Sequence, residues 1–309
     1  MAKQALRKVF TDTLLQLAKA DSALFAVTSD SRGSVTLTDF AGELPDQFVE
    51  CGIAEQDAIG IAAGLANSGL RPFVCGPACF YSLRSAEQVK VDIAYSHTNV
   101  KILGVSGGIS YGALGATHHS THDIALLRAI PGLEIYLPSD GRQMRALTNY
   151  LAATDTPAYV RVGRAAVPDV YDDTQTPFIP GKANRLREGS DVSLLACGEM
   201  VYHALRAAEA LQERGIAAGV WDMVSLRPLD EQAVLRAADA PLVVTIEEHS
   251  VNGGLGAAAA ELLAQRKPAR MKILGLPDED LFNGPSPDVF AHYGLTGSGI
   301  ADTVQSALQ

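Results

Sequence analysis

Apolar residues recur along the chain in two alternating patterns. Residues 5–20 carry them at helical spacing, and LFAVTSD (24–30) then gives a short buried strand that ends in polar residues. The alternation continues, with strands predicted at 47–51, 71–75, 99–106, 133–138 and 158–162 and helices at 53–67, 82–96, 123–130 and 140–153. Strands that alternate with helices are typical of a doubly wound, mostly parallel α/β sheet.

The alternation stops between residues 164 and 188, a stretch that is rich in proline and has little periodicity. It then resumes, with strands predicted at 192–198, 216–223, 242–248 and 271–276 and helices at 199–214, 230–239 and 254–266. The pattern therefore predicts a first α/β domain over 1–165, a linker over 166–188 and a second, smaller α/β domain over 189–309.

Composition narrows the class of protein. Apolar residues make up 47% of the 309, and 35 acidic against 25 basic residues give a net charge of −10. Such a surface argues against non-specific binding to nucleic acid or to an anionic membrane. The N-terminus shows no signal-peptide pattern, and the four cysteines form no C-x-x-C pair. We expect a soluble, cytoplasmic protein with reduced thiols.

Ligands of open α/β sheets bind beyond the carboxyl ends of the strands. This rule predicts one shared rim for SDSRGS (29–34), the approach to Glu55, GPACFY (76–81) and the loop 106–122. We therefore expect the chemistry of the protein at that rim.

Glu55 opens a helix of small and apolar residues, AIGIAAGLA. An acidic residue in a first helical turn can simply complement the helix dipole. The small residues behind it also indicate that something approaches closely. An apolar surrounding suits a carboxyl that shares a proton with a ligand nitrogen.

Three motifs suggest other chemistry. Residues 108–112 match the G-x-S-x-G motif of hydrolases, but the helix that this motif requires does not follow. His118 and His122 have the i, i+4 spacing of metal ligands, without a third ligand nearby. Residues 254–259 match G-x-G-x-x-A, but too far from the preceding strand for a dinucleotide site. We therefore expect no protein-held metal and favour contacts of these histidines with substrate or solvent.

Basic residues lie in or beside the same rim loops. Arg7, Arg32 and Arg164, with Ser34 close by, can together form a clamp for a tetrahedral anion, although each alone is an ordinary surface charge.

The ordered motifs GIAEQDAIGIAAGLA, RPFV and THH…DIALLRAIPGLEIYLPSD resemble the pyrimidine-binding domain of transketolases. LREGSDVSLLACGEM resembles the start of their C-terminal domain. The resemblance covers essentially the whole chain. It implies a thiamine-diphosphate-dependent transferase, in which a large further domain binds Mg²⁺ and the diphosphate through G-D-G and a later Asn.

That diphosphate-binding pattern is not found in this sequence. The resemblance therefore implies the C-terminal subunit of a split transketolase, active only with an N-terminal partner subunit that holds Mg²⁺ and the diphosphate. A self-associating hetero-oligomer, a heterotetramer, is expected.

The resemblance also implies roles for cofactor-binding residues. Glu55 corresponds to the glutamate that hydrogen-bonds N1′ of the cofactor's aminopyrimidine and activates the cofactor by favouring its imino tautomer. Phe80 and Tyr81 fall where the family places aromatic rings against the pyrimidine, with Phe80 the better match. Asp30 falls near the cofactor.

On the substrate side, the family's anion-binding residues correspond to Arg7, Ser34 and Arg164. Its histidine near the reacting oxygens corresponds to His118, which we predict to be catalytic together with Glu55. Two substrate positions depart from the family pattern, because Ser106 replaces a common histidine and Leu114 replaces an aspartate that reads a sugar hydroxyl.

We therefore expect transfer of a two- or three-carbon ketol unit from a ketose phosphate or sulfonate to an aldose phosphate, with a non-standard sugar. One alternative is a beta-type subunit of a 2-oxoacid dehydrogenase, which shares the two-domain layout. The other is a non-catalytic regulatory subunit, against which the joint presence of Glu55, Phe80 and His118 argues.

Overall fold

The computed structural model describes residues 3–172, 174–175 and 177–309. The strands of the first half are β1 (Lys3–Ala5), β2 (Leu24–Thr28), β3 (Phe48–Glu50), β4 (Arg71–Pro77), β5 (Lys101–Val105), β6 (Glu134–Tyr136), β7 (Ala158–Val162) and β8 (Ala166–Pro168). Its α-helices are α1 (Leu6–Ala20), α2 (Thr38–Glu43), α3 (Glu55–Asn67), α4 (Ala86–Gln88), α5 (Asp123–Arg128) and α6 (Gly141–Ala153).

The second half continues the alternation. Its strands are β9 (Asn184–Arg187), β10 (Val192–Ala196), β11 (Ala218–Asp222), β12 (Ser225–Arg227), β13 (Val243–Ser250) and β14 (Met271–Leu276). Its α-helices are α7 (Met200–Glu213), α8 (Glu231–Ala237), α9 (Leu255–Arg266), α10 (Ser286–His292) and α11 (Gly297–Leu308).

Two mostly parallel sheets organise these elements. The first sheet has the order β12-β6-β7-β5-β4-β2-β3, in which only β12 runs antiparallel to its neighbour. The second has the order β14-β13-β10-β11-β9, with β9 antiparallel. The predicted fold class, a doubly wound sheet followed by a second, smaller α/β unit, is confirmed.

Helices cover both faces of the first sheet. Successive residues of β5 enter different clusters, because Ile102 packs with α3 while Leu103 packs with α1 and α6. The central strands β4, β5 and β7 are therefore almost continuously apolar, as expected for parallel strands buried on both faces.

The two halves are joined more closely than a simple linker would require. Strand β12 comes from the second half but pairs with β6 at the edge of the first sheet. Within the predicted linker 166–188, β8 pairs with β1, and β9 forms the edge of the second sheet. Residues 173 and 176 of that linker lie outside the described residues. The domain boundaries themselves stay a prediction.

The segment predicted as an α-helix over 82–96 differs from that expectation. It consists of π-helical turns at Phe80–Arg84 and Val89–Tyr95 on either side of the short α4. The backbone N–H of Ser85 donates to the carbonyl of Phe80, and the hydroxyl of Ser96 donates to that of Val91. The backbone contact of Ser85 is the i to i−5 bond of a π-helix, and such turns are frequent at functional sites.

All four cysteines are free. In the part of the chain that the structure describes, no helix combines the length and apolar character needed to cross a membrane.

Candidate active site

A buried carboxylate and an arginine form the centre of the site. Glu55 is the first residue of α3 and is only 4% exposed. Its Oε2 accepts a hydrogen bond of 2.6 Å from Nη1 of Arg84. The side chain of Arg84 is 46% exposed, so this ion pair joins a buried acid to a base at the surface. No sequence pattern had singled out Arg84.

The same guanidinium stacks on an aromatic ring. The Cζ atom of Arg84 lies 4.2 Å from the ring centroid of Phe80, and both residues belong to the same π-helical turn. A planar N–H donor is thus held between an aromatic face and a carboxylate. These are the two contacts that an aminopyrimidine ring needs, so Glu55 and Phe80 fit that group chemically.

His118 lies between Phe80 and Tyr111 of the loop 106–122 and contacts both rings. Its ring makes edge contacts with Phe80 at 5.4 Å and with Tyr111 at 5.1 Å between centroids. Its Nδ1 lies 2.9 Å from the hydroxyl of Thr117. Because Nδ1 is engaged by its neighbour, Nε2 is the ring nitrogen suited to contact a substrate oxygen.

Two arginines lie close together beyond His118. Nη1 of Arg7 donates to the backbone carbonyl of Ser34 at 2.5 Å, and the guanidinium of Arg164 lies 5.4 Å from the ring centroid of Tyr111. The pKa of Arg7 is lowered by burial and, second, by the charge of Arg164. The positive charges of Arg7 and Arg164 repel each other, and a bound anion would relieve this repulsion.

The structure brings Glu55, Phe80 and His118 into one connected group and Arg7, Ser34 and Arg164 into another. Tyr111 lies between them. Tyr111 was part of the rejected G-x-S-x-G motif, and no sequence pattern had singled it out.

Four predicted site residues lie elsewhere around this group. Tyr81 is fully buried, with its hydroxyl donating to Ser29 at 2.9 Å and its ring filling the space above Gly76. Asp30 is exposed, and its backbone N–H donates to Glu50 at 2.6 Å. Cofactor contacts of Tyr81 and Asp30 therefore stay predictions.

The other two residues differ in exposure, since Ser106 is buried and Leu114 is exposed. Ser106 is buried, has a φ of 61°, and its hydroxyl finds no hydrogen-bond partner among the described residues. A non-glycine residue in this left-handed region is strained, and such strain is concentrated at functional sites. The side chain of Leu114 is 53% exposed in the chain by itself.

Two buried charged residues, Glu248 and Arg161, fix the position of the loop 106–122, which is rich in glycine. The carboxylate of Glu248 accepts from the N–H of Ile109 at 2.9 Å, and Nη2 of Arg161 donates to the Glu248 carbonyl at 2.6 Å. A Cβ at Gly107 would collide with Arg161, and one at Gly108 with Glu248. These glycines therefore permit the close approach that fixes the loop, a role that sequence spacing alone did not indicate.

The rejected motifs have structural explanations. The hydroxyl of Ser110 donates to the carbonyl of Gly107 at 2.7 Å, and a 3₁₀ segment, Gly112–Thr117, follows it. At 254–259, the N–H groups of Leu255 and Gly256 are bound by the buried carboxylate of Glu247 at 2.7 and 2.8 Å. The helix N-terminus where a phosphate would bind is thus filled by the chain's own carboxylate.

No three His, Cys, Asp or Glu side chains are grouped for metal binding within residues 3–172, 174–175 and 177–309.

Family models match both halves of the chain. Residues 2–169 match the transketolase pyrimidine-binding domain, and residues 181–300 match the transketolase C-terminal domain. The chain belongs to the transketolase family, whose cofactor is thiamine diphosphate.

Individual relatives make the relationship more specific. The chain is 59% identical to one subunit of the apulose-4-phosphate transketolase of Phocaeicola vulgatus over 300 residues, covering 97% of this chain and 96% of the relative. It is 40% identical to a 6-deoxy-6-sulfo-D-fructose transketolase subunit of a Clostridium species, covering 88% and 85%. A solved structure described as a split-gene transketolase, inactive beta4 tetramer, matches with a TM-score of 0.91 at 36% identity, covering 99% and 98%.

The expected resemblance to a split transketolase subunit is thus confirmed, and the chain is a transketolase-type transferase subunit. The alternatives of a 2-oxoacid dehydrogenase subunit and of a non-catalytic regulatory subunit are not supported.

Proposed function

We propose that this chain supplies the pyrimidine-binding half of a two-subunit transketolase that acts on a non-standard sugar carrying a terminal phosphate or sulfonate. The observation that carries the proposal is that one side chain, Arg84, contacts both Glu55 and Phe80. A planar N–H donor already fits between them, at 2.6 Å from the carboxylate and 4.2 Å from the ring centroid.

Bound thiamine diphosphate supplies the carbon nucleophile and the electron sink for cleavage of the ketose carbon–carbon bond. Glu55 would share a proton with the aminopyrimidine nitrogen, in a buried setting where the proton is not lost to water. Phe80 would support the flat face of the ring. Mg²⁺ and the diphosphate would be held mainly by an N-terminal partner subunit.

His118 and the two arginines would orient the sugar. Nε2 of His118 is suited to exchange a proton with an oxygen at the reacting carbons, because Thr117 engages the other ring nitrogen. Arg7 and Arg164 would bind the terminal anion, and the backbone of Ser34 holds Arg7 in position. The clamp does not distinguish phosphate from sulfonate, since both are tetrahedral anions.

The departures from the family pattern at Leu114 and Ser106 support a non-standard sugar. An aliphatic side chain cannot accept a hydrogen bond, so a sugar hydroxyl facing Leu114 would lose its partner at a cost of about 1–3 kcal/mol. A sugar that lacks this hydroxyl, is branched there, or carries it in the other configuration avoids the penalty. The relatives named for apulose 4-phosphate and for 6-deoxy-6-sulfofructose support this choice of substrate class.

The same relatives support a two-subunit assembly. The relative from Phocaeicola vulgatus is itself named as one subunit of its enzyme, and the tetramer formed by the solved beta chain is described as inactive. We infer a cytoplasmic heterotetramer of two such chains and two diphosphate-binding partners, which is inactive without the partner.

The test is a substrate panel on the chain reconstituted with a diphosphate-binding partner, thiamine diphosphate and Mg²⁺. We expect no ketol transfer by the single chain. In the complex, apulose 4-phosphate or 6-deoxy-6-sulfofructose should exceed xylulose 5-phosphate as the donor.

Leu114→Asp should raise kcat/KM for xylulose 5-phosphate about tenfold or more. Ala113→Asp, which adds the same charge at the neighbouring exposed position, should not. If xylulose 5-phosphate with ribose 5-phosphate is the best natural pair, the inference from Leu114 is wrong. If the complex binds the cofactor but transfers no ketol unit from any of these sugars, the proposed activity is wrong.

A further inference from the structure

Arg84 occupies both recognition elements of the pyrimidine site at once. Its Nη1 lies 2.6 Å from Oε2 of Glu55, and its Cζ lies 4.2 Å from the ring centroid of Phe80. The guanidinium is flat, cationic and rich in N–H donors, as is a protonated aminopyrimidine.

A pyrimidine ring cannot take the same place while Arg84 remains there. His118 already contacts Phe80 through an edge interaction at 5.4 Å, and the guanidinium covers a face of that ring. A second planar group stacked on the same face and within hydrogen-bond distance of Glu55 would overlap the guanidinium, since both contacts are short-range.

The side chain of Arg84 can also move away from Glu55 and Phe80 towards solvent. Its side chain is 46% exposed, whereas Glu55 is 4% exposed. Movement of Arg84 towards water returns its own charge to solvent. The cost of this opening falls on Glu55, because a buried carboxylate without its partner is unfavourable. Glu55 cannot follow, and it then requires another donor.

From these contacts we propose that Arg84 is an internal competitor for the aminopyrimidine of thiamine diphosphate. In the unloaded subunit it keeps the buried carboxylate paired and the aromatic face covered, and cofactor binding displaces it. The proposal rests on the proposed function, because it takes Glu55 and Phe80 as the pyrimidine site.

The energetic consequence is a reduced apparent affinity for the cofactor. When only a fraction of the protein has the site open, the apparent Kd rises by the inverse of that fraction. Because the open state leaves the buried Glu55 unpaired, fewer than about one molecule in five would be open, so removing Arg84 should tighten binding about fivefold or more.

The measurement is titration calorimetry of thiamine diphosphate with Mg²⁺ into the reconstituted two-subunit complex. Arg84→Gln should lower the Kd by about fivefold or more. Arg84→Lys should lower it less, because lysine keeps the charge near Glu55 but loses the flat stack. Lys90→Gln removes a positive charge from an exposed position of the same segment, and it should bind as the natural protein does.

Two results would overturn the proposal while leaving the site assignment intact. If Arg84→Gln binds with unchanged affinity but Glu55→Gln binds more weakly, the pyrimidine site is correct and Arg84 does not compete for it. If Arg84→Gln binds more weakly, Arg84 contacts the bound cofactor instead of yielding to it. If neither Glu55→Gln nor Phe80→Ala changes the Kd, the site assignment itself fails, and the competition with it.

Discussion

Two buried glutamates, Glu55 at the start of α3 and Glu247 in β13, have different kinds of partner. Glu55 pairs with the partly exposed side chain of Arg84. Glu247, which is fully buried, accepts hydrogen bonds from the backbone N–H groups of Leu255 and Gly256 at the start of α9. A side-chain partner can be displaced by a ligand, whereas a backbone partner cannot leave without unfolding the helix.

Local packing enforces this difference. A Cβ at Gly254 would collide with the carboxylate of Glu247, so the chain closes over that carboxylate completely. At Gly60 and Gly64 of α3, an added Cβ would meet nothing within 4 Å. The packing around Glu247 therefore makes it an internal anchor, whereas part of the surface of α3, the helix that Glu55 begins, stays uncovered.

The largest effect is expected when Glu55 loses its ability to exchange a proton. Glu55→Gln should lower kcat of the reconstituted enzyme by about a hundredfold or more, because the amide keeps the shape but cannot act as an acid or base. The measurement is steady-state ketol transfer, with thermal unfolding as the check on the fold. Turnover close to that of the natural protein would mean that Glu55 only complements the helix dipole.

A change at Glu247 should affect stability instead. Glu247→Ala leaves the two N–H groups of α9 buried without acceptors, which should lower the free energy of unfolding by roughly 2–4 kcal/mol. Urea unfolding of the full chain measures this, with Glu213→Ala at the exposed end of α7 as a control expected to stay within about 0.5 kcal/mol. If the two variants unfold alike, the carboxylate is not an anchor.

The smallest effect is a dependence on pH. Burial raises the pKa of Glu247 to about 7 from its ordinary value of 4.5, despite the opposing backbone hydrogen bonds. Between these two values the folded chain binds more protons than the unfolded chain. The free energy of unfolding should therefore fall by roughly 1 kcal/mol per pH unit as the pH rises from 4.5 to 7.

Glu247→Gln removes this titration, so its stability should fall less steeply over the same range. Burial raises the pKa of Glu199 and of Glu248 as well, and these groups contribute a fall of the same sign to both proteins. Only the difference between the two slopes reports on Glu247. Parallel slopes in urea unfolding at pH 5, 6 and 7 would contradict the assignment.

The alternation of apolar runs was sufficient to predict the parallel architecture. The helix predicted over 53–67 is observed at Glu55–Asn67, and the strand predicted over 158–162 is observed at Ala158–Val162. Local periodicity reports reliably on such elements, because central strands and covering helices bury the same faces along their whole length.

Elements that depend on distant partners were not predicted. Strand β12 has three residues and exists through its pairing with β6, some ninety residues earlier in the chain. The short strands β1, β8 and β9 likewise depend on remote neighbours. The π-helical turns at Phe80–Arg84 and Val89–Tyr95 were also not predicted, because the apolar pattern of an ordinary helix does not reveal them.

The sequence by itself determined which residues reach the rim of the first sheet, since strand ends and loops follow from periodicity. Only the tertiary structure decided which of them touch. The pairing of Glu55 with Arg84 spans 29 positions, and that of Ile109 with Glu248 spans 139. The local sequence places Glu55 at a helix start and Glu247 in a strand. Whether a buried carboxylate binds a ligand or anchors a helix depends instead on which atoms the completed fold places around it.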